Sequence, residues 1–182
     1  MLWDVVQELA SFGRGEEYVG QPSFARSIQW DGYSCGARAV YSVLRHFGRK
    51  TTYETVKEAL GTDKEGTEQP EFARYLRRCG FIAQMRRQMT MEELREALAR
   101  GSLALVYLDG NHVAVAYGMD ARSVHLADSA IMSGPFAAVS RARFRERWDR
   151  EAVLVRPRPR RRTSGRRARG SERGRVRRRR DR

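Results

Sequence analysis

The chain has 182 residues, enough for one compact domain and an extension, and its formal net charge is +14. The charge is concentrated at the C-terminus. Residues 156–182 contain fifteen arginines and two acidic residues, a net charge of +13, which leaves +1 for residues 1–155. This distribution excludes a uniformly basic fold. Since no stretch of about eighteen apolar residues occurs, no membrane span is predicted.

The N-terminal residues 1–23 are predicted to form a short helix followed by a glycine-rich loop. Asp4 and Glu8 interrupt the first apolar segment and no positive charge precedes it, which argues against a secretory signal peptide. We therefore expect a cytoplasmic protein in which the two cysteines, Cys35 and Cys79, are reduced.

Four helices and one strand are predicted within residues 35–101. Ser34 is the predicted N-cap of the first helix, and Gly48 its C-terminal stop. Thr90 and Glu93 have the spacing of a capping box, which predicts the start of the fourth helix. The helices cover residues 35–47, 52–60, 70–79 and 90–100, and the strand covers residues 81–88.

The hydrophobic period changes to two after Gly101, which predicts strands. Five strands and one short helix follow, the strands at 103–108, 112–118, 123–128, 135–140 and 151–155 and the helix at 141–148. Because helices come first and antiparallel strands follow, the predicted fold class is α+β rather than a series of βαβ units.

The arginine-rich segment 156–182 has almost no apolar side chains, so we expect it to form a disordered tail. Two interpretations of the tail stay open. Its arginines are suited to nonspecific binding of nucleic acid phosphates or of another polyanion. Alternatively, the tail is a solvated extension with no dedicated partner.

The stretch QWDGYSCG, residues 29–36, places a cysteine at the start of a predicted helix. A thiol at Cys35 faces unpaired backbone N–H groups and the positive end of the helix dipole, and both favour the thiolate. Gly36 leaves room for a substrate backbone, and the Gln29 amide is a candidate donor to an oxyanion. The alternative is a buried structural cysteine, and these residues alone do not decide between the two.

A thiolate nucleophile requires a base, and the chain has three histidines. His46 lies at the far end of the cysteine helix, and His125 lies within a strand on the opposite face from Asp128. His112 opens a strand directly after a turn. If the loop of the following hairpin has three residues, 119–121, His112 lies directly opposite Asp128 on the same face. A two-residue loop would place the two side chains on opposite faces.

Together these residues resemble the double-glycine leader peptidases, the bacteriocin-processing branch of the papain-like cysteine peptidases. The resemblance rests on a glutamine six residues before a Cys-Gly pair, a distant histidine at a strand start and an aspartate sixteen residues later. It also includes the segments 61–81, 112–128 and 144–148. The implied fold is papain-like, with a central nucleophile helix packed on a C-terminal antiparallel sheet.

The resemblance covers roughly residues 24–155, which would form the peptidase domain between the N-terminal segment 1–23 and the tail 156–182. By this resemblance the site would consist of Cys35 as nucleophile, His112 as general base, Asp128 as orienting acid and Gln29 as oxyanion-hole donor. The family commonly has aspartate before the cysteine and proline after the triad aspartate, whereas this chain has Ser34 and Ser129. Neither difference removes a catalytic atom.

Many members of the family are N-terminal domains of ATP-driven exporters, whereas here the arginine-rich tail follows. The expected function is that of a free-standing peptidase that cleaves a peptide or protein after a small-residue pair such as Gly-Gly, without a cofactor or a metal. Two alternatives stay open: acyl or peptidyl transfer by the same residues, and a non-catalytic peptide-binding module with a nucleic-acid-binding tail. The sequence leaves the oligomeric state undetermined.

Overall fold

The computed structural model describes residues 28–130 and 136–159. The predicted N-terminal helix and most of the predicted tail lie outside these residues. The described part contains five helices: α1 Cys35–His46, α2 Tyr53–Ala59, α3 Gln69–Arg78, α4 Met91–Ala99 and α5 Arg141–Arg147. It contains six strands: β1 Phe81–Arg86, β2 Leu103–Leu108, β3 His112–Met119, β4 Ser123–Ala127, β5 Ala137–Ser140 and β6 Trp148–Pro157.

The six strands form one antiparallel sheet in the order β1-β6-β2-β3-β4-β5. The last strand of the chain therefore lies between β1 and β2. All six residues of β2 are buried, as expected for an inner strand with both faces covered. The α+β layout predicted from the order of helices and strands is confirmed.

Two hydrophobic cores cover the two faces of the sheet. Helices α1, α2 and α3 pack on one face, where side chains such as Leu105, Val115 and Val153 lie. Helices α4 and α5 pack on the other face, which is rich in alanine, for example Ala104 and Ala116. Small side chains on this second face let the helices approach the strands closely.

The helix ends follow the local sequence signals in most cases. Thr90 and Glu93 form the predicted capping box: the Thr90 hydroxyl accepts the Glu93 N–H at 3.1 Å, and the Glu93 carboxylate accepts the Thr90 N–H at 2.7 Å. Gly48 follows the end of α1 with φ +75°, a conformation that glycine adopts without strain. The structure confirms both predicted helix ends.

The last strand is longer than predicted at both ends. It begins at Trp148, which the sequence assigns to the preceding helix, and ends at Pro157. Arg156 and Pro157, assigned from the sequence to the tail, pair with Ile82 and Phe81 of β1. Both side chains are exposed, so they carry no apolar signal from which this pairing could be predicted. Within residues 28–130 and 136–159, no helix has the length and apolar character that crossing a membrane requires.

Candidate active site

The hairpin of β3 and β4 has a different register from the predicted one. Gly118 lies opposite His125, whereas the predicted three-residue loop would have placed it opposite Arg122. The cause is the turn at Asp120, whose carboxylate accepts the N–H groups of Arg122 and Ser123, both at 2.7 Å. The Asp120 N–H also donates to the Ser123 carbonyl at 3.0 Å, which closes the turn tightly. The prediction that His112 lies directly opposite Asp128 is therefore wrong.

A β-bulge nevertheless brings His112 and Asp128 to the same face. Continued along both strands, the register at the turn would place the two residues on opposite faces. Tyr117 is an extra residue in β3 that shifts the register by one between Ala116 and Gly118. Beyond the bulge Ala127 pairs with Val115, so Asp128 follows on the side of His112.

The His112 ring is held by a buried carboxylate. Its Nε2 lies 2.7 Å from Oδ1 of Asp128, and the side chains are 19% and 4% exposed. The same carboxylate oxygen accepts the Ala130 N–H at 2.9 Å, which fixes the carboxylate in turn. Because Nε2 faces Asp128, the other ring nitrogen of His112, Nδ1, is the one that can exchange a proton with the Cys35 sulfur.

The Cys35 thiol lies at the first residue of α1, against the start of β3. In its thiol form it donates to the carbonyl of Asn111, with Sγ and oxygen 3.9 Å apart. The sulfur also contacts the His112 side chain and the backbone N–H groups of Val113 and Gly36. The helix end and the strand start therefore surround the sulfur with hydrogen-bond donors.

Cys35 and His112 shift each other's pKa in opposite directions. Burial raises the pKa of the Cys35 thiol, but hydrogen bonds from His112 and from two backbone N–H groups outweigh burial, so the pKa lies below its usual value. Burial lowers the pKa of His112, but hydrogen bonds to Asp128 and to Cys35 raise it to about 10. The arrangement therefore favours a thiolate–imidazolium pair at neutral pH.

Gln29, the fourth residue predicted for the site, is attached to the segment that follows Asp128. Its backbone N–H donates to the Ser129 carbonyl at 2.7 Å, and it forms a parallel bridge with Ala130. Its side-chain Nε2 donates to the Asp31 carbonyl at 2.5 Å, and its Oε1 accepts the Ser129 hydroxyl at 3.2 Å. All four predicted site residues are thus connected through residues 128–130 and the start of β3.

The space beside Gly36 is filled by the protein itself. A Cβ built at Gly36 would lie 2.3 Å from Cζ of Phe72, a residue of α3 that is 2% exposed. The expectation that Gly36 leaves room for a substrate backbone is therefore wrong. The glycine is needed so that the Phe72 ring can pack against the beginning of α1.

Two polar side chains before Cys35, Asp31 and Ser34, organise the loop through contacts that the sequence did not predict. The Asp31 carboxylate accepts the N–H groups of Tyr33 and Ser34, at 3.1 and 2.8 Å. Ser34 occupies the predicted N-cap position, but its side chain forms no hydrogen bond with the N–H groups of the first turn. Its buried hydroxyl instead accepts a hydrogen bond from Nε of Arg38 at 3.1 Å. The Asp-Gly pair was the available signal, because aspartate in this setting commonly forms such a turn.

The other two histidines lie where the sequence placed them, away from Cys35. His125 Nε2 lies 2.7 Å from Oδ2 of Asp120, at the closed end of the hairpin. His46 is the last residue of α1 and stacks against Phe47 at 4.9 Å between ring centroids. The described residues therefore contain two His–Asp pairs of equal length, and of these two the His112 pair is the one that contacts Cys35.

Comparison with known families gives the context for this site. The model of the Peptidase C39 family matches residues 24–160, well over half of the chain. The chain belongs to the Peptidase C39 family. It is accordingly a cysteine peptidase, and the predicted resemblance to the double-glycine leader peptidases is confirmed at the level of the family.

The fold of this C39 peptidase is similar to that of solved protease domains. One is a double-glycine motif protease from an AMS/PCAT transporter, solved in complex with a leader peptide. It is 18% identical to this chain with a TM-score of 0.67, and the match covers 78% of this chain and 96% of that chain. The peptidase domain of Streptococcus ComA, a bifunctional ABC transporter involved in quorum sensing, is 20% identical with a TM-score of 0.63, covering 72% and 97%. The papain-like fold is thereby confirmed.

Relatives at higher identity are two uncharacterized proteins. That of Methanothermobacter marburgensis is 35% identical over 117 residues, which is 64% of this C39 peptidase and 78% of the relative. That of Methanothermobacter thermautotrophicus is 32% identical over 109 residues, covering 57% and 70%. The likeness to both proteins therefore extends over more than half of the chain.

Proposed function

We propose that this C39 peptidase hydrolyses a peptide bond through Cys35, His112 and Asp128, with Gln29 as an oxyanion donor. The observation that supports the proposal most directly is the position of His112, which contacts the Cys35 sulfur on one side and the Asp128 carboxylate at 2.7 Å on the other. This is the order of nucleophile, base and orienting acid that thiol-dependent acyl transfer requires.

The reaction would begin with attack of the Cys35 thiolate on the peptide carbonyl. The tetrahedral oxyanion would accept hydrogen bonds from the Cys35 backbone N–H, at the start of α1, and from the Gln29 amide. As the C–N bond breaks, the His112 imidazolium donates its proton to the leaving amine, which leaves a thioester on Cys35. Water then attacks the thioester, His112 takes its proton, and the acid product leaves as the thiolate is restored.

We propose a leader peptide as the substrate, with cleavage after a small-residue pair of the Gly-Gly type. One solved relative is a double-glycine motif protease in complex with a leader peptide, and it shares the fold over 96% of its length. Membership of the same family makes this substrate class the first to test. An amine in place of water as acceptor would give peptidyl transfer with the same four residues.

We also propose that the arginine-rich segment 156–182 binds nucleic acid or another polyanion nonspecifically. Its net charge of +13 is the main support. The described start of this segment adds to the support, because Arg158 lines a groove of about 350 Å³ together with Arg49 of the folded domain. Arg49 and Arg158 therefore offer two positive charges in one groove of the described structure.

A digest of a peptide library tests the peptidase proposal. We expect the wild-type protein to cleave peptides and Cys35→Ala to lose cleavage by at least about a thousandfold, because the nucleophile is removed. Cys79→Ala is the matched control, since Cys79 is the other free cysteine and lies outside the site. Cleavage that survives in Cys35→Ala, or that is lost in Cys79→Ala, would refute the assignment. Mass analysis with an added amine separates hydrolysis from transfer.

A further inference from the structure

Ser129 lies between two parts of the proposed catalytic machinery. It follows Asp128, whose carboxylate holds His112, and it is 9% exposed. Its carbonyl accepts the Gln29 N–H at 2.7 Å, and the next residue, Ala130, forms a bridge with Gln29. The backbone of Ser129 thus holds Gln29 at a constant position relative to Asp128.

The Ser129 side chain makes a second contact that concerns the orientation of the Gln29 amide. The Asp31 carbonyl can only accept hydrogen bonds, so the amide nitrogen Nε2 must be the atom that faces it, at 2.5 Å. The amide oxygen Oε1 then points to the Ser129 hydroxyl, which donates to it at 3.2 Å. These two contacts together determine which way the amide is turned.

The orientation leaves one N–H of the Gln29 amide for another acceptor. Nε2 carries two hydrogens, and the Asp31 carbonyl accepts one of them. A hydrogen bond donated to Oε1 also withdraws electron density from the amide, which makes the remaining N–H a stronger donor. Alanine at position 129 would keep the backbone contact and lose this effect.

We propose that Ser129 is a positioning residue that holds the Gln29 amide in the orientation in which its second N–H donates to the oxyanion. The inference rests on the proposed function, because it assigns Ser129 a part in the step that forms the thioester. Ser129 would act through Gln29, because its carbonyl and its hydroxyl both contact that residue.

Steady-state kinetics of five variants test the inference, with the library peptide that the wild type cleaves fastest as substrate. Ser129→Ala removes the hydroxyl, and we expect kcat to fall about tenfold with KM within about twofold, the size of effect expected when one hydrogen bond is lost. Ser129→Thr restores a hydroxyl and should recover kcat to within about threefold of wild type. Ser102→Ala, at a serine of similar burial outside the site, should match the wild type.

A double substitution separates positioning from general destabilisation. Gln29→Ala should lower kcat by about a hundredfold or more, as removal of an oxyanion donor does, and Gln29→Ala with Ser129→Ala should be no slower. The rate of Cys35 alkylation by iodoacetamide should be unchanged in Ser129→Ala, since alkylation uses no oxyanion donor.

Wild-type kcat in Ser129→Ala, additive losses in the double variant, or slower alkylation would each overturn the inference while the proposed function stands. Failure of Ser129→Thr to recover kcat would overturn it too. A wild-type protein that cleaves no peptide would overturn the proposed function, and with it this inference.

Discussion

Replacing Asp128 by asparagine removes the negative charge beside His112 and keeps an oxygen that can accept the Ala130 N–H. The perturbation is therefore electrostatic and leaves the loop contact at 2.9 Å in place. The affected hydrogen bond is short, 2.7 Å, and the Asp128 side chain is 4% exposed, so solvent screens the charge little. We expect Asp128→Asn to weaken the thiolate–imidazolium pair without unfolding the site.

The size of the effect follows from the energy of a charged hydrogen bond. Such a bond contributes about 1.5–3 kcal/mol, and one pKa unit corresponds to about 1.4 kcal/mol. The pKa of His112, raised to about 10 in the native site, should therefore fall by about one to two pH units. Because the imidazolium stabilises the thiolate, the pKa of Cys35 should rise in the same variant.

The assay is the rate of Cys35 alkylation by iodoacetamide as a function of pH, in a Cys79→Ala background so that a single cysteine reacts. The acid limb of the profile should move to higher pH by about one unit in Asp128→Asn. The matched control is Asp120→Asn, because Asp120 holds His125 at the same 2.7 Å outside the site. Superimposable profiles for wild type and Asp128→Asn, or an equal shift in Asp120→Asn, would refute the reasoning.

Three further predictions concern packing, pH and the tail. Gly36→Ala should lower the free energy of unfolding by about 1–3 kcal/mol in denaturant titrations, because its Cβ would lie 2.3 Å from the Phe72 ring. Gly32→Ala, with nothing within 4 Å of the added Cβ, should cost less, and equal losses would contradict the packing argument. The pH–rate profile for peptide cleavage should decline on its alkaline side near pH 10, because His112 there loses the proton that it must donate to the leaving amine. A decline near pH 6.5 would instead show that the pKa of His112 is not raised. Truncation after Pro159 should leave cleavage unchanged and weaken salt-sensitive binding to duplex DNA, and undiminished DNA binding would exclude the tail as the site.

The helix ends and the inner strand could be predicted because their signals are local. Thr90 and Glu93 are three residues apart, so the capping box is visible in the sequence. Gly48 lies two residues after the end of α1 and adopts the positive φ that ends helices. The apolar residues of β2 also predict a strand without knowledge of its neighbours, and the structure adds that both faces of this strand are buried.

The contacts within the site could be predicted only in part, because they join distant segments. Nothing near Gly36 indicates that a phenylalanine thirty-six residues later fills the space beside it. The contact between Gln29 and Ser129 spans one hundred residues, and its geometry depends on how β4 ends. The shared face of His112 and Asp128 depended in the sequence on a three-residue loop that the structure does not have. The two residues share a face because the Tyr117 bulge offsets the shift of register at the Asp120 turn, and neither feature has a signal in the sequence from which it could be predicted.

The bulge at Tyr117 has a consequence for length variation in this hairpin. If the turn at Asp120 is kept, a single insertion or deletion within either strand between His112 and Asp128 would turn one of the two side chains to the wrong face. Removing one residue from each strand between the bulge and the turn would shorten the spacing from sixteen to fourteen and preserve the pair. In homologous hairpins that keep this bulge, the interval between the histidine and the aspartate is therefore free to change in steps of two. Odd changes require that a bulge is gained or lost, or that the turn changes length.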